Sequence, residues 1–314
     1  MLNLSAHRLF QQAIDQVALL RCNRQEIAQA NVLDAGVETP GSLSAGVLLA
    51  RLCLGDRAAV SLVPSDGRLF SSNLVHVRTD DPIRSCLGSQ YAGWPIKTDD
   101  YFAMGSGPMR MVRGEEPVLE HLKLQESVPT VVGVLESESL PTASAVQAIS
   151  KDCDTPAGKI CLAVAPSTSI AGSLQVVARS VETAMHKLHE LKFDVRSIIS
   201  ATGHAPLPPP AKPGNTVDGV GRTNDAILYG ATVTIWVDMA DDMLETVVTK
   251  VPSNSSDDHG QPFAKIFKHY DYDFYKVDPL LFSPAVVTFH NLRSGRSWTA
   301  GQLEPSILQA SFSS

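Results

Sequence analysis

Nowhere in its 314 residues does the chain string together the roughly 18 unbroken apolar residues of a membrane-spanning helix. Its opening residues, Met1-Leu2-Asn3-Leu4-Ser5, lack the basic patch and apolar run of a secretory signal. No excess of positive charge exists either: Lys plus Arg is 26 against 33 Asp plus Glu, a net charge of −7. Phosphate binding requires a positive surface, so neither nucleic acid nor a membrane is the expected partner. The five cysteines (Cys22, Cys53, Cys86, Cys153, Cys161) are odd in number, and none is spaced as CxxC. A disulfide framework and a structural zinc site are therefore not expected; the cysteines read as small buried hydrophobes in a reducing cytoplasm. Composition is that of an ordinary globular protein, with 44% hydrophobic and 19% charged residues, enough for two domains or one large one.

The common nucleotide and nucleophile signatures are missing too. Gly105-Ser106-Gly107-Pro108 and Gly219-Val220-Gly221-Arg222 both fail a dinucleotide fingerprint at the third glycine. There is no GxxxxGK[ST], and Ser106 sits in the wrong frame for a nucleophile elbow. His186 and His189, with Glu190 beside them, could share a metal ion, but no third ligand with its own motif stands out. They read as a solvated helix face, and no metal site is expected.

The patterning that is present predicts a mixed α/β fold. Helices are expected over residues 4–20, 83–91 and 141–149, with a long one over Ser173–Leu191. Short strands are expected at 60–63, 74–77, 131–135, 160–164, 231–237 and 286–289. Residues 205–216 hold five prolines and read as a surface loop.

The Ser173–Leu191 helix holds the most informative pair of charged residues. Leu174, Val177, Ala178, Val181, Ala184, Met185, Leu188 and Leu191 make one broad apolar face at 100° per residue. Gln175, Arg179, Glu182 and His186 form a narrower stripe on its flank, where a helix can line a cleft. Arg179 and Glu182, three apart, can meet. They read either as a surface ion pair contributing less than about 1 kcal/mol or as a carboxylate in a half-dry cleft. In such a cleft burial favours its protonated form and the guanidinium its ionised form, which suits proton transfer near neutral pH. Upstream, Ser167-Thr168-Ser169 and Gly172-Ser173 offer more hydroxyls and amides than helix capping alone uses.

Several segments in collinear order carry a resemblance. They are residues 100–108 (DYFAMGSGP), 165–176 (APSTSIAGSLQV), 221–230 (GRTNDAILYG), and the run from Gly260-Gln261-Pro262-Phe263 through Tyr272-Asp273-Phe274-Tyr275-Lys276. Together they resemble the methenyltetrahydromethanopterin cyclohydrolase family of methanogenic archaea and methylotrophic bacteria, over nearly the whole chain. The resemblance implies reversible hydrolysis of a cationic methenyl pterin to its 5-formyl derivative, without metal or organic cofactor. It implies a two-lobed α/β subunit with the active-site cleft between the lobes, and a homotrimer. We take lobe A as residues 1–85 plus 195–314 and lobe B as 86–194.

The same resemblance implies that Glu182, three residues after Arg179 on the helix following Ala165-Pro166, is the acid/base group, assisted by Arg179. Gly105, Ser106, Gly107, Ser167, Thr168, Ser169, Gln175, Arg222, Asn224 and Asp225 are the candidate substrate-binding residues. For Gly105–Gly107 a tight turn, and for Arg222, Asn224 and Asp225 a stabilised turn or cap, are the alternatives. Lys97 could meet an anionic substrate tail, or be an ordinary surface lysine. Phe274 and Tyr275 could be core or subunit interface. His204 stands where archaeal members carry a small residue, and with the proline-rich stretch and modest charge it points to a methylotrophic bacterium. A non-catalytic pterin-binding protein on the same fold, or an unrelated hydrolase of another amidine-like ring, are the competing functions.

Overall fold

The computed structural model describes residues 1–313; the side chain of Tyr275 lies outside what it describes, and with it the expectation placed on that residue. Among the described residues twelve strands run in chain order: β1 Asn23–Ile27, β2 Ala30–Asp34, β3 Ala58–Pro64, β4 Asn73–Thr79, β5 Trp94–Lys97, β6 Phe102–Ser106, β7 Val131–Glu136, β8 Ile160–Ala165, β9 Ile198–Pro206, β10 Thr232–Val237, β11 Val286–Asn291 and β12 Ser297–Gly301. The α-helices are α1 Leu2–Ile14, α2 Val17–Leu20, α3 Leu43–Cys53, α4 Met109–Arg113, α5 Pro117–Leu122, α6 Ala143–Asp152, α7 Ile170–Val177, α8 Ser180–Glu190, α9 Thr216–Leu228, α10 Asp241–Val247, α11 Phe263–His269 and α12 Pro305–Phe312.

The chain forms two compact units, one of residues 1–58 with 84–175 and the other of residues 59–83 with 176–314. This differs from the lobes expected from the sequence. The first 58 residues belong with the middle of the chain because β2 pairs in parallel with β8, a long-range pairing that local pattern does not announce.

The first unit is built on a six-stranded sheet of order β1-β2-β8-β7-β6-β5. Its central strands β2, β8 and β7 are parallel. β7 and β8 are nearly continuous apolar runs, as strands covered on both faces must be. One face packs Leu33, Val132, Val134 and Ala163 against Phe10 of α1 and Leu49 of α3. The other packs Val32, Leu135, Leu162 and Val164 against Ala145, Val146 and Ile149 of α6. The expected 141–149 helix begins instead at Ala143, because Thr142 accepts the Ala145 N–H and caps it. The expected 4–20 helix is broken into α1 and α2 at Asp15–Gln16.

Residues 83–90 form a π-helix rather than an α-helix. Its last carbonyls, those of Leu87, Gly88 and Ser89, all accept from the guanidinium of Arg110 at 3.2–3.3 Å. Arg110 is fully buried and paired with Glu116, and the three carbonyls satisfy the rest of its guanidinium. Ser89 O also accepts the Gly107 N–H at 2.8 Å, which ties the π-helix to the Gly105–Gly107 turn.

The second unit has a six-stranded sheet of order β12-β11-β10-β9-β4-β3, antiparallel where register is established except for the β10–β11 pair. β10 and β11 alternate half-buried and buried residues. The buried set faces the core, and an antiparallel sheet tolerates water on the other side. β9, α9 and the short helices of the second half lay outside the sequence expectations. α9 is hard to read because Gly219 and Gly221 in its interior lower its helix propensity.

The single Ser173–Leu191 helix does not exist. α7 ends at Val177, Arg179 N donates to Val176 O at 3.0 Å, and Thr183 N to Arg179 O at 2.9 Å opens α8. Neither Gly nor Pro marks the break. Each helix belongs to a different core: Ala171 of α7 is part of the first unit's core, whereas the start of α8 lies against β9, where a Cβ on Gly203 would fall 2.7 Å from Ser180 Oγ. No helix among the described residues is long and apolar enough to cross a membrane.

Candidate active site

Arg179 and Glu182 sit at the break. Arg179 is the residue preceding the first turn of α8, and Glu182 lies in that turn. Both are buried, at 7% and 4% exposure. A surface ion pair does not fit such burial. The exposed N–H groups of a helix start favour a carboxylate in the first turn. A carboxylate and a guanidinium withdrawn from water, on a turn whose position is set by sheet packing, make an arrangement that can hold and pass a proton. The break also means that the 100° wheel does not run from Gln175 to His186, and their shared stripe is a property of an unbroken helix only. His186 lies further along α8, with Nε2 3.9 Å from Glu190 Oε1.

In the first unit, the structure brings Ser106 and Gln175 to the same cysteine. Cys53 Sγ lies 3.3 Å from Ser106 Oγ and donates to Gln175 Oε1 at 3.6 Å. All three are buried. Ser89 Oγ fixes Cys53 from behind by donating to its carbonyl at 2.6 Å. In sequence Cys53 reads as a small hydrophobe; its polar neighbours come from β6, α7 and the π-helix, and nothing in its own segment signals them. The Gly105 position has no room for a side chain, since a Cβ there would meet Met109 Cε at 2.7 Å and Ile96 Cδ1 at 2.9 Å. Gly107 has φ +93°, a left-handed backbone that favours glycine.

Ser169 caps α7: its hydroxyl accepts the Gly172 N–H at 3.0 Å and donates to Pro166 O at 2.8 Å. Ser173 donates to Ser167 O at 2.8 Å. One of the three entry hydroxyls thus accounts for the cap. Thr168 instead donates to Glu138, and the Ser167 hydroxyl is buried without a hydrogen-bond partner among the described residues.

The α9 candidates have local partners. Arg222 Nη1 donates to the carbonyls of Pro209 and Pro210 at 3.3 and 3.1 Å, holding the proline-rich stretch. Asn224 donates to Val220 O one turn back at 2.8 Å. Asp225 is fully buried and accepts the Phe263 N–H at 2.7 Å. Burial pushes its carboxyl up to about 7, against hydrogen bonds from Ser311 and the Phe263 amide. All three lie on α9 and not in a turn, and these contacts tie that helix to itself, to the proline-rich stretch and to α11. Lys97 is exposed on β5. His204 stands opposite His76 across the β4–β9 pair; burial and then His76 hold it below its usual value. Phe274 is 41% exposed and stacks on Phe282, with ring centres 4.7 Å apart. No group of three or more His, Cys, Asp or Glu among the described residues is placed to hold a metal ion.

Comparison with known proteins decides the family. A family model described as "Cyclohydrolase (MCH)" matches residues 1–312. The chain belongs to the cyclohydrolase (MCH) family. Among its relatives, the methenyltetrahydromethanopterin cyclohydrolase of Rhodopirellula baltica is 56% identical over 314 residues, covering 99% of this chain and 94% of the relative. The cyclohydrolase of Methylobacillus flagellatus is 37% identical, covering 97% and 93%. That of Methanococcoides burtonii is 41% identical, covering 90% and 88%. Identity to the Methanococcoides cyclohydrolase is no lower than to the Methylobacillus one, so these values do not sort the chain by source as His204 and the proline-rich stretch were expected to.

Proposed function

We propose that this chain catalyses the reversible hydrolysis of 5,10-methenyltetrahydromethanopterin to 5-formyltetrahydromethanopterin, with Glu182 as the acid/base group and Arg179 as the group that orients it. The observation that carries the assignment of roles is the burial of both side chains at the start of α8. Family membership and the names of the relatives support the reaction.

The chemistry asks little beyond proton handling. The methenyl carbon, held between two nitrogens in a cationic amidinium, is already electrophilic, so the step calls for neither a metal nor an organic cofactor. Water adds to this carbon while Glu182 takes one of its protons, giving a neutral carbinol. The bond from that carbon to N10 then breaks. N10 receives the proton back from Glu182, and the carbinol O–H releases its proton as the formyl C=O forms. One water is consumed and one proton is released. An anionic Glu182 also stabilises the cationic substrate, but attraction present equally in the ground state does not accelerate the step.

Each of the relatives reported above is named as the enzyme, and nothing in the site favours a carrier that only binds a pterin. We further propose that the protein works in the cytoplasm as a homotrimer. Light scattering of the purified protein tests the latter.

The activity test is loss of the methenyl chromophore in chelator-treated buffer, for wild type and Glu182→Gln. Removing the group that handles both proton transfers lowers turnover by about 10²- to 10⁴-fold, with substrate binding retained because the side chains are nearly isosteric. An unchanged rate removes Glu182 from the mechanism.

A further inference from the structure

The first unit's parallel strands lie in the order β2, β8, β7. From β7 the chain leaves through residues 137–142 into α6, whose Ala145, Val146 and Ile149 pack on one face of the sheet. From the adjacent β8 it leaves through residues 166–169 into α7, whose Ala171 packs on the opposite face. Neighbouring parallel strands whose exits turn to opposite faces open a crevice beyond their carboxyl ends, and ligands of open α/β sheets bind in such crevices. In this unit the switch point falls between β7 and β8.

Two side chains meet across it. Thr168, from the β8 exit, donates its hydroxyl toward both carboxylate oxygens of Glu138, from the β7 exit, at 3.2 and 3.4 Å. Thr168 is buried at 5% exposure and Glu138 is exposed, so a fixed hydroxyl orients a carboxylate that reaches solvent. The neighbouring Ser167 is 2% exposed, and its hydroxyl has no partner among the described residues. A buried donor with its proton unspent is uncommon in a native fold and marks a place where a partner belongs.

We propose that Glu138, oriented by Thr168, is a specificity-determining residue that reads the aminopyrimidinone edge of the pterin. The assignment rests on the function proposed above and names the group that recognises its substrate. That edge presents a ring N–H and an exocyclic amino group side by side, next to a carbonyl oxygen. An ionised carboxylate offers two acceptor oxygens to the two adjacent donors, the geometry of a bidentate charge-assisted pair. The carbonyl beside them requires a donor, which the Ser167 hydroxyl supplies. Acceptor and donor thus come from the exits of neighbouring strands, Glu138 after β7 and Ser167 after β8.

The test compares wild type, Glu138→Gln and Thr168→Val on the methenyl substrate and on its analogue lacking the 2-amino group. Glu138→Gln is expected to raise KM about 10- to 100-fold while kcat changes by less than about threefold, because a charge-assisted pair to substrate and transition state alike is lost. Thr168→Val is expected to raise KM in the same direction by a smaller factor. On the 2-deamino analogue, the KM penalty of Glu138→Gln is expected to shrink by at least tenfold. An unchanged KM in Glu138→Gln, or an equal penalty on both substrates, overturns the inference while wild-type turnover leaves the function standing. A wild type inactive on the methenyl substrate overturns the function, and this inference with it.

Discussion

Gly203 of β9 and Ser180 at the start of α8 approach so closely that a Cβ on the glycine would lie 2.7 Å from the serine hydroxyl oxygen and 3.0 Å from Val181 Cγ2. Glu182 follows two residues later. The contact sets the distance between the second sheet and the turn that carries the proposed acid/base group. Gly203→Ala forces that turn outward, with an overpacking cost of about 1–3 kcal/mol. Because small misplacements of a catalytic group are costly, kcat is expected to fall about 10-fold or more at temperatures where the variant remains folded. A lowered melting temperature with unchanged kcat would show that this contact supports the fold without positioning Glu182.

Lys187, further along α8, is 1% exposed. Its ammonium donates to Ser255 Oγ at 3.0 Å and to the Leu280 carbonyl. Burial lowers its pKa from 10.5 to about 8, opposed by Asp278. Between pH 8 and 10.5 the unfolded chain therefore holds a proton that the folded chain has released, and this group makes stability rise with pH across that window. In urea unfolding, the stability lost in Lys187→Met is expected to grow from pH 7.5 to pH 9.5, by at most about 1.4 kcal/mol per pH unit. A pH-independent difference would contradict the burial of the charge.

Asp225 has the opposite sign. Its folded pKa of about 7 lies above the 3.8 of an unperturbed Asp, so its contribution is fully present below pH 3.8 and is lost as pH rises through 7. Asp225→Asn keeps an acceptor for the Phe263 N–H and removes the titration. The variant is expected to lose less stability than wild type between pH 4 and pH 8, a divergence on the order of a few kcal/mol. Parallel stability curves over that range would place the ionised carboxylate in a better-solvated site than its burial indicates.

Gly107 combines φ +93° with an N–H bonded to Ser89 O at 2.8 Å. Gly107→Ala places a side chain in a backbone region that L-residues avoid, at a cost of about 1–2 kcal/mol or more. Since this turn holds Ser106 beside Cys53 and Gln175, KM for the methenyl substrate is expected to rise along with the loss of stability. A stability loss with KM unchanged would leave Gly105–Gly107 as a structural turn only.

The parts of this protein legible in the linear chain are those set by local chemistry. Apolar runs bounded by turn residues located β7, β8, β10 and β11. Small hydroxyl residues after β8 announced a helix entry, and the spacing of Arg179 and Glu182 put two complementary charges one turn apart. The lack of a long apolar run and the odd, unpatterned cysteines agree with a structure in which no described helix is long and apolar enough to cross a membrane and all five cysteines are free. Tertiary structure decided what depends on partners distant in sequence. It split the apparent Ser173–Leu191 helix, because each half packs into a different core and no Gly or Pro is needed to interrupt hydrogen bonds that packing overrides. It joined the first 58 residues to the middle of the chain through the β2–β8 pair. It also made Cys53 and Glu138 neighbours of candidate site residues that lie 53 and 30 positions away. Burial belongs to this second class. A charged pair at i, i+3 is worth little in water, and only the tertiary structure shows that Arg179 and Glu182 are withdrawn from it.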